Sequence, residues 1–384
     1  MTHTVGTVRA RLEEAYPPHL AESWDKVGLI CGDPDAEVSN VAFALDCTQA
    51  VADEAVRLGV DMLVVHHPLL LRGTSTVAAD TPKGKVLHTL IRGGVALFAA
   101  HTNADSARPG VNDVLAELVG ITPGRPIAPK DDDGSSALDQ WTVNVPEDSA
   151  DVVMQAAFAA GAGAIGDYSH CAFTLTGHGQ FLPKEGAHPA EGDVGKLFTG
   201  AEQQVQFVAP RTSRAHVIKA VRGAHPYEEP AFSIVELAAD RERDLSKAYG
   251  LGRVGELPEP MTLRAFTQQV ADALPETVWG VRAAGDPGQM VQTVAVGSGS
   301  GDSFLDTVTK LGVDVYVTSD LRHHPVDEHL RAGGPAVIDT AHWASEFPWT
   351  TQAAGFVAEL GVGTHIIDIR TDPWTLSAHP RTAQ

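Results

Sequence analysis

Short apolar runs alternate with amphipathic stretches along much of the chain, and one such alternation occurs twice. Residues 40–65 read NVAFALDCTQAVADEAVRLGVDMLVV and residues 293–318 read TVAVGSGSGDSFLDTVTKLGVDVYVT. They align without a gap at an offset of 253 residues, Val41 with Val294 and Leu58 with Leu311. Each copy runs as an apolar strand, a turn, an amphipathic helix, the tetrapeptide LGVD and a second apolar strand. That is a βαβ unit, whose two strands are expected to lie parallel. The likeness extends to GGVALFAAHTNAD (93–105) and GGPAVIDTAHWASE (333–346), each a glycine pair, a short apolar strand and then a histidine. His101 answers His342 and Asp105 answers Glu346, both at an offset of 241. The pattern predicts an α/β core of two duplicated halves, each ending in His-x-x-x-carboxylate.

The middle of the chain follows another rhythm. A polar stretch rich in Pro, Asp and Ser, PIAPKDDDGSSALDQ (126–140), reads as a linker. After it come the strand WTVNVP, the helix DSADVVMQAAFAAGAG and the strand CAFTLTGHGQF; then QQVQFVAP, a helical SRAHVIKAVRGA and AFSIVEL. This β-α-β-β-α-β order is the ferredoxin-like pattern. The charged ADRERDLSK (239–247) leads back to the second half. The expected division is 1–128 for the first half of the core, 129–245 for an inserted α+β ferredoxin-like domain and 246–384 for the second half.

Composition narrows the function. A chain of 384 residues exceeds what one core holds, so more than one domain is expected. With 49 acidic and 28 basic residues the formal charge is −21, which disfavours nucleic acid as a partner. Aromatic residues make up 6%, too few to suggest a base-stacking platform. The cysteines Cys31, Cys47 and Cys171 form no CxxC pair and suggest neither a disulfide framework nor a zinc ribbon. No signal-peptide pattern or long apolar run appears, so a cytoplasmic protein with no membrane span is expected.

Candidate chemistry sits where parallel strands end, the place at which α/β sheets gather ligands. DMLVVHHPLLLRG puts His66 and His67 at such an end, and Pro68 biases His67 toward an extended backbone. AAHTNADSA adds His101 and Asp105, and DTAHWASEFP adds His342 and Glu346. Pro348 places a helix start near Ala344, with Glu346 in its first turn. Each motif alone is as well read as a polar strand end or a surface pair; convergence of all three is what suggests a site. Four histidines and two carboxylates exceed the needs of one tetrahedral zinc and suit two divalent ions sharing a carboxylate. Nitrogen and oxygen donors without thiolate admit zinc, iron, manganese, cobalt or nickel. Two such ions would activate water for hydrolysis. GSGSGD (297–302) is expected to be a tight strand-to-helix turn, and His323 and His324 a solvated loop. Trp24 and Asp25 are expected to pack and cap, and His225, Tyr227 and Glu228 to form a turn in the insert.

The segments ESWDKVGLICGD (22–33), LVVHHPLL, HTNAD, GLGRVGEL (250–257), YVTSDLRHHP and HWASE resemble, in order, the signature blocks of the NIF-three-like dinuclear metal-centre family. Members of that family are often labelled GTP cyclohydrolase type-two homologues. The insert, through GAGAIGDYSHC, GAHPAEGDVG and AHPYEEPAF, resembles the PII-like or CutA-like domain of longer members. The resemblance implies metal ligands at His66, His67, Asp105, His342 and Glu346, with Glu346 bridging. It pairs His67 with Asp105 on one ion and His66 with His342 on the other, and leaves His101 as a catalytic or supporting group. It further implies a homo-oligomeric toroid, commonly a homohexamer, and a metal-dependent, GTP cyclohydrolase-like hydrolase acting on a small molecule, a nucleotide favoured. The competing expectation is a non-enzymatic oligomeric protein that responds to metal or ligand, with the insert as its regulatory module.

Overall fold

A computed structural model describes residues 3–130, 137–238 and 245–378. The chain divides into two compact units, one made of residues 1–130 with 244–384, the other of residues 131–243.

The first unit contains two five-stranded sheets built on the same plan. In one, Asn40–Ala44, Met62–Val65 and Ala96–Ala99 lie side by side and parallel, with Gly28–Cys31 antiparallel at the edge. In the other, Met290–Ser300, Val315–Ser319 and Ala336–Thr340 repeat the arrangement, with Arg282–Ala284 as the antiparallel edge. The expected parallel βαβ units are therefore present in both halves. The opposite edges differ: Arg253–Thr262 runs antiparallel in the second sheet, whereas Gly363–Ile366 runs parallel to Asn40–Ala44 in the first. The last strand among the described residues thus returns to the first half.

The repeated LGVD explains why both copies fold alike. Its leucine ends the helix Gln49–Leu58 in one copy and Leu305–Leu311 in the other. Its glycine, Gly59 or Gly312, takes a left-handed φ of 67° or 69°, which reverses the chain without a Cβ penalty. Its aspartate then ties down the start of the preceding strand. Asp61 Oδ2 accepts from the N–H groups of Ser39 and Asn40 (2.7 and 2.9 Å), and Asp314 Oδ2 accepts from Gln292 and Thr293 (2.9 and 2.7 Å).

Alternate residues of each parallel strand enter different cores, as a sheet covered on both faces requires. Phe43, Met62, Val64 and Phe98 pack with Val8, Leu12 and Trp349, while Ala42, Leu63, Val65 and Leu97 pack with Val51, Ala55 and Leu90. In the second sheet Val294, Val315 and Ile338 pack with Leu115, Phe266 and Val270; Ala295, Tyr316 and Val337 pack with Leu305 and Val308.

Arg253 joins the two halves. It is fully buried, and all five of its N–H groups are used. Nε and Nη2 donate to the Asp113 carboxylate at 2.8 and 2.7 Å, Nη1 to Gly250 O and Gly252 O, and Nη2 to Ala107 O.

The second unit is a four-stranded antiparallel sheet made by the strand–helix–strand–strand–helix–strand sequence Leu138–Pro146, Ala150–Ala159, Ala172–Phe181, Phe198–Pro210, Arg214–Ala224 and Phe232–Glu236. Its strands lie in the order fourth, first, third, second. Trp141, Val143, Val145, Val205 and Phe207 face Val153, Ala157, Val217 and Val221 of the helices. Among the described residues no helix is long and apolar enough to cross a membrane.

Candidate metal centre

The strand ends of both halves meet at one cluster of histidines and carboxylates. His66 and His67 follow the strand Met62–Val65, and their N–H groups both donate to Leu45 O (3.1 and 3.0 Å). Their side chains diverge. His66 is fully buried against Trp349, with ring centroids 5.1 Å apart; His67 is half-buried and faces the second half. Asp105 lies in the short helix Thr102–Ser106, one turn beyond His101. His342 begins the helix His342–Glu346, two residues earlier than the sequence suggested, and Pro348 instead caps the next helix, Trp349–Ala358. Over this single turn His342 Nε2 comes within 3.1 Å of Glu346 Oε2.

Every histidine of the cluster is anchored through Nδ1. His66 donates to Ala100 O (2.8 Å), His67 to Asp46 (2.7 Å), His101 to Asp25 (2.9 Å) and His342 to Asp320 (2.6 Å). The nitrogen left for the centre is Nε2 in each case, and such a partner fixes ring and tautomer as in metal-ligating histidines. His66 Nε2 lies 3.6 Å from Asp105 Oδ1 and 3.8 Å from Glu346 Oε1. His67 Nε2 lies 3.0 Å from Glu346 Oε2 and 3.3 Å from His342 Nε2. Potential donors thus form the sets His66–Asp105–Glu346 and His67–His342–Glu346, with His101 close to His66 and His67. Glu346 is common to the first two, but the histidines pair the other way round from the resemblance. His66 turns inward beside Asp105, and His67 is left to meet His342.

The electrostatics are those of a site short of positive charge. Burial opposes ionisation of Glu346, but His342, His67 and His66 around it hold its carboxyl well below the usual range. Burial likewise opposes charge on His67 and His342, and Glu346 outweighs it, with Asp46 or Asp320 behind. His67 is pushed up to about 10 and His342 to about 11. His66 is pushed down to about 3, chiefly by burial. Burial and the nearby Glu346 carboxylate raise Asp105 to about 7. His66 Nε2 is buried and has no hydrogen bond, whereas the buried Glu346 Oε2 lies against the Nε2 atoms of His67 and His342. A buried polar atom is costly to leave unmatched, and a cation shared by His66 Nε2, Asp105 Oδ1 and Glu346 Oε1 would match the histidine.

Several contributors were not recognised as such in the sequence. Asp25 is buried; besides His101 it accepts from Thr102 N (3.0 Å) and from the Thr102 hydroxyl (2.5 Å), and it is held low against the cost of its burial by these bonds. Asp320 aligns with His67 in the repeat, yet it supports the ring of His342. GSGSGD is not a turn outside the sheet: Gly297–Ser300 lie in the strand Met290–Ser300, beside the cluster. Ser298 Oγ donates to Asp105 Oδ1 (3.1 Å), and a Cβ on Gly299 would stand 2.3 Å from Glu346 Oε1. His323 and His324 are exposed at the start of the helix His323–Arg331, not in a loop, and are not part of the cluster. His225 makes the expected turn, donating from Nε2 to Asn144 O (2.8 Å) and accepting from Tyr227 N (3.1 Å).

Fold and cluster together define an α/β protein with a candidate metal site at the carboxyl ends of two related sheets. Residues 3–373 match the family model described as Duf34/NIF3 (NGG1p interacting factor 3). The chain belongs to this family. It is 54% identical over 370 residues to the Mycobacterium tuberculosis protein named GTP cyclohydrolase 1 type 2 homolog, covering 95% of each chain. It is 38% identical over 334 residues to the Bacillus subtilis protein of the same name, covering 87% of each. Among solved structures it resembles a Bacillus cereus protein related to NIF3, with a TM-score of 0.67 and 34% identity over 97% of this chain and 99% of that one. A Staphylococcus aureus protein gives a TM-score of 0.76 at 27% identity over the same shares.

Proposed function

We propose that the chain holds two divalent metal ions and hydrolyses a small, nucleotide-like molecule with them. His66, Asp105 and Glu346 would hold one ion and His67, His342 and Glu346 the other. The observation that carries this reading is the buried His66 Nε2, without a hydrogen bond and beside Asp105 and Glu346, amid histidines whose Nδ1 atoms are already engaged. Bound there, the ions supply an acidified water and a Lewis acid for a substrate oxygen. Glu346 balances their charge from between the two histidine sets. His101, oriented by Asp25, presents Nε2 beside the cluster and moves a proton to or from the reacting group.

We read the middle unit as a ferredoxin-like, PII- or CutA-like module that serves assembly or regulation, on the strength of its element and strand order. A homo-oligomeric, hexameric ring and a cytoplasmic location belong to the same proposal.

The test is elemental analysis of native protein beside Glu346→Ala and His67→Ala variants, followed by a turnover screen with the metal found. Near two ions per chain, lost in both variants together with turnover, is the expected result. Less than about one ion per chain, unaffected by either change, refutes the centre. Two ions without turnover, and with metal-dependent assembly, would instead support the non-enzymatic reading.

A further inference from the structure

Two openings border the cluster, and they differ in chemistry. The larger is a cleft of about 670 Å³, within the size range of small-molecule sites. His67, His101 and His342 border it, but Asp105 and Glu346 do not. Its wall is mostly apolar, with Leu45, Pro68, Leu71, Trp279, Trp343 and Trp374 around the imidazoles, as in pockets for organic molecules. The carboxylates it does contain are engaged: Asp46 holds His67, Asp320 holds His342, and Asp372 accepts from the N–H of Trp374.

The smaller opening, about 390 Å³, shares His101 and His342 with the cleft but is bordered by Asp105 and Glu346 in place of His67. Oxygen-bearing groups line it: Thr102, Asn112, Ser298, Ser300 and Ser303. Ser298 ties this wall to the donors. Its hydroxyl donates to Asp105 Oδ1 (3.1 Å), its N–H donates to Asn112 Oδ1 (2.8 Å), and Asn112 Nδ2 donates to Asp105 O (3.0 Å). Ser300 and Ser303 are exposed at the rim. Trp24 flanks the opening instead of packing in a core; it is 55% exposed, with its ring edge-on to His101 at 5.9 Å. Glu22 is matched by Lys130 (2.8 Å), so the carboxylates that draw a cation inward are those of the cluster itself. A divalent ion sheds its waters readily only where other oxygens replace them, which hydroxyls and amides do and an apolar wall does not. At about 30 Å³ per water, an ion with six waters fills about 180 Å³, and the smaller opening has room for it.

We propose that the smaller opening is the port by which hydrated divalent cations reach the centre, and that the larger cleft is left to the organic substrate. Ser300 and Ser303 meet the cation at the rim, Ser298 replaces water it sheds, and Asp105 and Glu346 receive it. Loading and exchange of metal then proceed without an empty substrate cleft. The proposal rests on the metal-centre reading of the cluster and adds the route to it.

The test is stopped-flow uptake of Co²⁺ by full-length, metal-stripped protein, read from the visible absorption of the bound ion, with elemental analysis at the end point. Ser300→Trp narrows the smaller opening and Leu71→Trp narrows the cleft. Ser300→Trp should slow uptake at least about tenfold, the lower end of what a charged cleft adds to an on-rate, and leave the final ion count unchanged. Leu71→Trp should load within about twofold of the native rate. Ser303→Lys, which sets a cation at the rim, should slow uptake about 2- to 5-fold at low ionic strength, an effect that disappears in about 1 M salt. Should Ser300→Trp lower the final ion count, the salt-dependent slowing by Ser303→Lys decides. Uptake slowed as much by Leu71→Trp as by Ser300→Trp overturns the proposal. Native protein that fills with Co²⁺ at a rate unmoved by Ser300→Trp and Ser303→Lys refutes the port and leaves the metal centre standing. Native protein that takes up no Co²⁺ refutes the centre, and the port with it.

Discussion

Replacing Arg253 by Met tests whether the two halves are held by a buried charge. Met keeps much of the apolar stem but supplies none of the five hydrogen bonds. Asp113 would keep only its bond from Gly110 N (2.8 Å), and three backbone carbonyls would lose their donor. Removing one partner of a buried ion pair costs about 3–5 kcal/mol, because the remaining charge is stranded. For a body of this size each kcal/mol lowers the melting temperature by about 2–4 °C, so the variant should melt about 6–20 °C lower. The assay is differential scanning calorimetry of the full chain at neutral pH, with Arg9→Met as the control. Arg9 pairs with Glu13 at 2.8 Å on an open helix surface, its side chain 44% exposed, and such pairs contribute about 0–1 kcal/mol. Arg253→Met/Asp113→Leu should recover part of the loss, since no charge is then stranded. If Arg253→Met melts within about 2 °C of Arg9→Met, the reasoning is wrong, and packing alone joins the halves.

Gly299→Ala should remove metal while leaving the fold. The new methyl would stand 2.3 Å from Glu346 Oε1 at a φ of +62°, so the carboxylate must move; metal content should fall sharply with a melting loss of only about 1–2 kcal/mol. Unchanged metal content would place Glu346 outside the donor set. Metal uptake should also depend on pH in a definite direction. His67 and His342 carry protons in the metal-free state up to about pH 10 and 11, so binding at neutral pH must displace them, about two per chain, and weaken as pH falls. Calorimetry in buffers of different ionisation enthalpy counts those protons, and a count near zero contradicts the assignment.

The duplicated core was legible because its signals are local. LGVD carries a helix stop, a left-handed glycine and a strand-locking aspartate within four residues, and both copies use them identically. The three histidine motifs were legible because each sits directly after an apolar run. The anchors of those histidines were not. Asp46 lies 21 residues from His67, Asp320 lies 22 from His342 and Asp25 lies 76 from His101, and nothing near any of them marks it as a partner. The repeat did hold a clue: aligning the halves sets Asp320 opposite His67, at a strand end in the same sheet plan. The pairing of histidines was beyond periodicity, because it depends on distant residues packed around each ring, Trp349 and Asp105 beside His66 and His342 beside His67. Gly299 looked like part of a tight strand-to-helix turn because glycine signals freedom of backbone more often than crowding by a neighbour.

The strand Gly363–Ile366 closes the edge of the first sheet, and beyond it the Thr371 hydroxyl donates to Asp46, the residue that orients His67. Ribosomes release a chain from its beginning, so the sheet that carries His66 and His67 must wait with an open edge while some 260 further residues are made. The Thr371 hydroxyl that steadies Asp46 comes later still. A chain that stalls or is clipped before residue 363 would still contain all six cluster residues, yet would lack the strand and the hydroxyl that hold two of them in place. Competence to take up metal would then report that synthesis had passed Thr371.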